Sequence, residues 1–136
     1  MATMEEWAAF FSGKYQGWIR PAGGEWEDLI GSVKLECAAW QEGCLKVMVM
    51  TLEFGTWVGG LRLGDRVMEG PTGQGDTRFK CAFQEREQAE GIQGCFYGGI
   101  YKPTAEPLFE LHLASEWRKP SPERRSSLGD DSAVTW

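Results

Sequence analysis

A single histidine in 136 residues excludes a multi-histidine metal site, or a pair of histidine acid/base groups, within one chain. No stretch approaches the roughly 20 apolar residues that a helical membrane span requires. Basic residues are in deficit, 14 Lys plus Arg against 20 Asp plus Glu for a formal charge of -6. A groove that neutralises nucleic-acid phosphates is therefore not expected. The four cysteines, Cys37, Cys44, Cys81 and Cys95, form no C-x-x-C pair and have no histidine beside them. They read as small buried hydrophobes in a reducing compartment, not as metal ligands or disulfides. Residues 1–11 carry two glutamates where a signal peptide would carry basic charge, so a cytoplasmic, soluble protein is the expectation.

Catalytic motifs are also missing. Neither G-x-S-x-G nor a cysteine-nucleophile signature occurs, and Gly70-Pro71-Thr72-Gly73-Gln74-Gly75 lacks the G-K-[ST] ending that engages phosphates. His112 alternates with Leu111 and Leu113 and has no orienting carboxylate in a local motif. It reads as a solvated strand histidine. The carboxylate pairs Glu5-Glu6, Glu85/Glu87 and Asp130-Asp131 fall where charge is easily solvated, as does Glu27-Asp28. No metal, no cofactor and no catalytic residue is expected.

What the chain does have is 18 glycines and 7 tryptophans. Trp7, Phe10 and Phe11 recur at i, i+3 and i+4, and Thr3 with Glu6 makes a capping box, so a short amphipathic helix is predicted at 3–11. Ser12-Gly13 ends it. Beyond it the period switches to two, with turn residues every eight to twelve positions, the pattern of an all-β domain. Eight strands are predicted near 14–20, 30–40, 44–54, 56–63, 66–70, 77–86, 92–102 and 107–115. Their short connections imply an antiparallel meander. Gln41-Glu42-Gly43 suits a hairpin with Gly43 in the left-handed region, and Gly64-Asp65 a two-residue hairpin with positive φ at Gly64. Glycines inside strands, at 59, 60, 94, 98 and 99, point to sharp coiling or close approach. A coiled meander of this size is expected to form a closed or nearly closed barrel.

Parity assigns the faces. Val33, Leu35, Cys37 and Ala39 share one face, as do Thr77, Phe79, Cys81 and Phe83, and Phe109, Leu111 and Leu113. The third strand is apolar on both faces, Leu45, Val47 and Val49 on one and Met48, Met50, Leu52 and Phe54 on the other. The N-terminal helix is the expected cover for the second face, a partner protein the alternative. The domain is bounded at 1–117, and 118–136, with Pro120, Pro122, paired arginines and few apolar residues, reads as a disordered tail. Within it Arg124-Arg125-Ser126-Ser127-Leu128 fits a basophilic kinase substrate, which makes Ser127 a phosphorylation candidate.

In Phe10-Phe11-Ser12-Gly13-Lys14-Tyr15-Gln16-Gly17-Trp18, a short helix is followed by Gly-x-aromatic at the first strand. This resembles the calycin superfamily, the lipocalin and fatty-acid-binding barrels, in which the strand opens with Gly-x-Trp. Tyr15 stands in the place of that Trp, and Arg118 where lipocalins set an Arg against the first-strand aromatic. The resemblance covers about residues 4–118; no two-helix lid follows the first strand. It implies a barrel that holds a small ligand inside.

The function expected is accordingly a non-enzymatic binding protein that takes a small apolar or amphipathic molecule into the barrel. Trp18, Leu35, Met48, Met50, Trp57, Phe79, Phe83, Phe96 and Leu111 are the interior candidates. The alternative is an interaction or structural subunit with a solid interior, docking a protein partner through the third strand and surface aromatics. A barrel enzyme working through a buried Tyr, Cys or Glu is the third reading.

Overall fold

The computed structural model describes residues 2–29, 31–88, 91–116, 118, 121 and 122. The short helix α1 (Met4–Phe11) precedes strands β1 (Gly13–Pro21), β2 (Glu27–Asp28), β3 (Val33–Gln41), β4 (Cys44–Thr51) and β5 (Gly55–Arg62). Strands β6 (Val67–Pro71), β7 (Arg78–Gln88), β8 (Gly91–Tyr101) and β9 (Pro107–Ser115) complete the order. Each of β3 to β9 pairs antiparallel with the next, and β1 pairs with both β3 and β9, so an eight-stranded antiparallel barrel closes. The two-residue β2 lies outside it on β1, with Trp18 opposite Asp28.

Closure rests on a long β1–β9 ladder from Tyr15↔Ser115 to Pro21↔Phe109, against three residue pairs between β1 and β3. Inward positions follow parity. Tyr15 and Ile19 on β1, Val33 and Leu35 on β3, Leu45, Val47 and Val49 on β4, Trp57 and Leu61 on β5 and Met68 on β6 are buried. Phe79, Cys81 and Phe83 on β7, Ile92, Phe96 and Ile100 on β8, and Leu111 and Leu113 on β9 complete the lining. Strand glycines permit this crowding. A Cβ on Gly94 would stand 2.1 Å from Phe83 Cζ, and one on Gly98 only 1.9 Å from the Lys80 carbonyl oxygen, so no larger residue fits either place.

The capping box forms as expected: the Glu6 amide donates to Thr3 Oγ1 (3.0 Å) and the Thr3 amide to Glu6 Oε1 (3.1 Å). The destination of α1 differs from expectation. It does not cover Met48 and Met50 on the outer wall. Its rings enter the barrel end, where Phe11 meets Phe83 at 4.9 Å between centroids and Phe10 meets Phe83 at 5.8 Å. The reason is geometric, since β1 begins two residues after α1 ends and leaves no chain to reach the far side of β4.

The turn between β5 and β6 also differs. It spans four residues, 63–66, and the left-handed residue is Arg66 at φ 57, not Gly64. Asp65 holds the wider loop by accepting from the Arg62 guanidinium (2.9 Å) and the Val67 amide (3.2 Å). Gly43 is left-handed, at φ 76, as expected. Most of the expected tail, Ser127 included, lies outside the described residues. Arg118 belongs to the barrel instead, because its backbone bonds Ile92 in both directions (2.8 and 3.0 Å). Ser121 is buried.

Candidate functional site

Alternation of strand direction puts α1 and the turns at 42–43 and 63–66 at one end of the barrel, and the loops at 22–26, 52–54, 72–77 and 102–106 at the other. At the α1 end the last helical carbonyls, which have no partner within the helix, are met by side chains. Ser12 Oγ donates to Ala8 O (2.7 Å) and accepts from the Cys37 amide (2.9 Å), tying α1 to β3. Tyr15 Oη donates to Phe11 O (2.8 Å). The Arg118 guanidinium donates to Phe10 O and to Tyr15 Oη (3.3 Å), and stands 5.0 Å from the Tyr15 ring centroid. A cation at the negative end of the helix dipole adds to that contact.

Burial pushes the Tyr15 hydroxyl up to about 12, with Arg118 opposing the shift. The Cys37 and Cys81 thiols are likewise pushed up to about 12 by burial, and Cys95 is raised for the same cause. All four cysteines are free thiols. A raised thiol is a poor nucleophile at neutral pH. Among the described residues no group of three His, Cys, Asp or Glu is placed to hold a metal ion, and no helix is long and apolar enough to cross a membrane.

The interior contains two aromatic groups. Near α1, Phe83 and Phe96 lie 4.9 Å apart and Tyr15 reaches Phe96 at 5.8 Å. Toward the far end Trp57 stacks on Phe79 at 5.4 Å, and Phe54 lies 6.3 Å from Trp57. Phe79, Ile100 and Phe109 occupy consecutive register positions across β7, β8 and β9. Of these Phe109 alone is exposed, at 37%.

Of the nine interior candidates, Leu35, Trp57, Phe79, Phe83, Phe96 and Leu111 do line the barrel. Trp18, Met48 and Met50 do not, and these three placements are corrected. Val47 and Val49 take the inner positions of β4, so the alternate Met48 and Met50 face outward and are half-buried. Tyr15 and Ile19 do the same on β1 and send Trp18 out.

Outside, Trp18, His112 and Tyr97 stand in one row across β1, β9 and β8. The His112 ring lies 5.2 Å from Trp18, 6.1 Å from Tyr97 and 6.5 Å from Trp26. Arg20 covers Trp26 at 4.7 Å and pairs with Glu110, which also accepts from Tyr97 Oη (3.4 Å). Partial burial lowers the His112 pKa, and the Arg20 hydrogen bond lowers that of Glu110. His112 is therefore not the freely solvated residue that its strand position implies. The signal that could have found this row is the β1–β9 register, which brings residues 94 positions apart into line and leaves no trace in local periodicity.

Two clefts open beside the row. One, of about 860 Å³, is lined by Lys14, Gln16, Trp18, Asp28, Gln93 and Glu116 among others. The second, of about 490 Å³, is lined by Gln84, Arg86, Gln93, Cys95 and His112 among others. Compared with protein-family models, curated proteins and solved structures, the chain matches none.

Proposed function

We propose that this protein is a non-enzymatic binding barrel of calycin type, which takes a small apolar or amphipathic molecule at the end away from α1. The observation that carries the reading is the contrast between ends. One is sealed by a helix whose terminal Ala8, Phe10 and Phe11 carbonyls are met by side chains, whereas the other presents apolar side chains at its rim, with Phe109 37% and Leu52 75% exposed. The ligand lodges against Trp57, Phe79 and Ile100, with Phe109 at the entrance. The Arg118–Tyr15 contact supports kinship with the lipocalins, whose Arg packs on the first-strand aromatic.

The test is titration with an apolar solvatochromic dye. One-to-one saturable binding that is lost on Ile100→Lys, in a variant still folded by circular dichroism, supports the reading. A silent dye overturns it in favour of an interaction subunit. That second reading has its own support in the exposed Trp40 (56%) and Val58 (41%) on the β3–β5 wall, where aromatic and apolar side chains favour interface cores.

A further inference from the structure

We propose that the outer wall formed by β1, β9 and β8 is a binding site for a neutral saccharide, separate from the barrel interior. The wall combines what a sugar ring requires. Trp18, Trp26, Tyr97 and His112 supply aromatic surface, and an aromatic face carries negative partial charge that attracts the polarised C–H groups of a pyranose. Small residues, Ala114 and Cys95, border the row on one side, and on the other Gly99 stands beside the paired Arg20 and Glu110. The two clefts meet at Gln93 and Ala114, which line both. Side-chain amides of Gln16, Gln84 and Gln93 offer donors and acceptors in the geometry that hydroxyl pairs use.

Charge selects the class. Across the row and the two clefts Lys14, Arg20 and Arg86 oppose Asp28, Glu110 and Glu116, and Glu85 is already held by Arg66 at 2.7 Å. Arg20 and Glu110 neutralise one another, and Arg20 occupies the face of Trp26 that a ligand cation would seek. Partial burial lowers the pKa of His112 and so favours its neutral ring. A balanced wall has no net attraction for a basic or acidic peptide. A purely apolar ligand would bury these amides and charges without partners. A polyhydroxylated neutral ring satisfies both the aromatic and the polar groups.

The test uses the full chain and a panel of soluble neutral hexasaccharides (maltohexaose, cellohexaose, mannohexaose), read by tryptophan fluorescence and calorimetry. At least one should give saturable binding that changes less than about twofold between low and near-molar salt, because no ion pair forms. Tyr97→Ala and Trp26→Ala, both at exposed positions, should weaken it about tenfold, roughly 1.4 kcal/mol, with the thermal midpoint unchanged. His112→Ala should do the same. No response from any member of the panel overturns the proposal, and so does binding that survives Tyr97→Ala and Trp26→Ala. Tight, steeply salt-dependent binding of a poly-lysine or poly-glutamate control in place of the sugars also overturns it, by making the wall a charge site. Ile100→Lys, which addresses the interior, should leave saccharide binding intact.

Discussion

The two ends of this barrel are built from the same strands and differ in how their polar groups are met. At the α1 end, three helical carbonyls are capped by Ser12, Arg118 and Tyr15, and the rings of Phe11, Tyr15, Phe83 and Phe96 interlock behind them. At the far end the backbone is partnered mostly within its own loops, as where the Thr72 amide donates to Thr77 O (3.1 Å) and the Gly24 amide to Pro21 O (2.8 Å). Left-handed glycines 23, 73 and 75 shape those loops, and the apolar rim is partly wet. Ser12, Tyr15 and Arg118 tie the sealed end to elements distant in the chain, whereas the 72–77 loop at the far end is tied mainly to itself. Stability is thus concentrated at one end, and the other is the end at which we propose the ligand enters.

The largest effect should come from the centre of the sealed end. Phe96 is fully buried between Phe11, Tyr15 and Phe83. Phe96→Ala should cost about 3 to 5 kcal/mol in chemical denaturation. A loss below about 1 kcal/mol would mean that this end is no tighter than the other, and the contrast would collapse.

Alkali should attack the same end next. Tyr15 titrates near 10 when unfolded and is pushed up to about 12 in the fold, while Cys37 and Cys81 go from 9.0 to about 12. Each raised pKa means that the folded state holds its proton longer. Stability is therefore fully present below the unfolded values and falls as pH rises from about 9 toward 12. For Tyr15 alone the loss is about 2 to 3 kcal/mol by pH 12. Tyr15→Phe should flatten the part of the decline that begins above pH 10 and leave the earlier, thiol part. An unchanged curve would exclude Tyr15 as its source.

Arg118→Met should follow, at about 1 to 3 kcal/mol, because the Phe10 carbonyl loses a charged donor and Tyr15 a partner. Amide exchange in α1 should accelerate more than exchange in β4 and β5, which lie away from this contact. Tyr15 should titrate still higher, since Arg118 is a charge that lowers its pKa. Uniform acceleration across the barrel would show that Arg118 does not act on the sealed end in particular.

Much of this architecture was legible in the residues. Alternation on β3, β7 and β9 placed Leu35, Phe79, Phe83 and Leu111 inside, and the Thr3/Glu6 box located α1. Tyr15 and Arg118 could be paired from the resemblance of their flanking sequence, and they do meet. What parity could not decide was β4, apolar on both faces, and Trp18, which sits beside Gly17 in a strand with few apolar markers. The aromatic row around His112 depends on closure between the first and last strands, a non-local register. The place of α1 depends on its short link to β1, and its apolar face alone could not distinguish a barrel end from an outer wall.

The smallest stability effect should come from the far rim, and it sharpens the comparison most. Phe109 continues the inward register of Leu111 and Leu113 and pairs with Pro21 and Ile100, yet it remains 37% exposed where Leu113 is fully buried. Removing a ring that water already reaches forfeits only part of the transfer energy and leaves no closed cavity, so Phe109→Ala should cost less than about 1 kcal/mol. The same change removes the side chain at the proposed entrance, so affinity for an apolar dye should fall several-fold while the denaturation midpoint barely moves. The pairing of these two readouts is what matters, since a merely structural residue would move stability and a merely exposed one would move neither. If Phe109→Ala costs as much as Phe96→Ala, the far end is packed as tightly as the sealed one, and the function of the protein must lie on its walls.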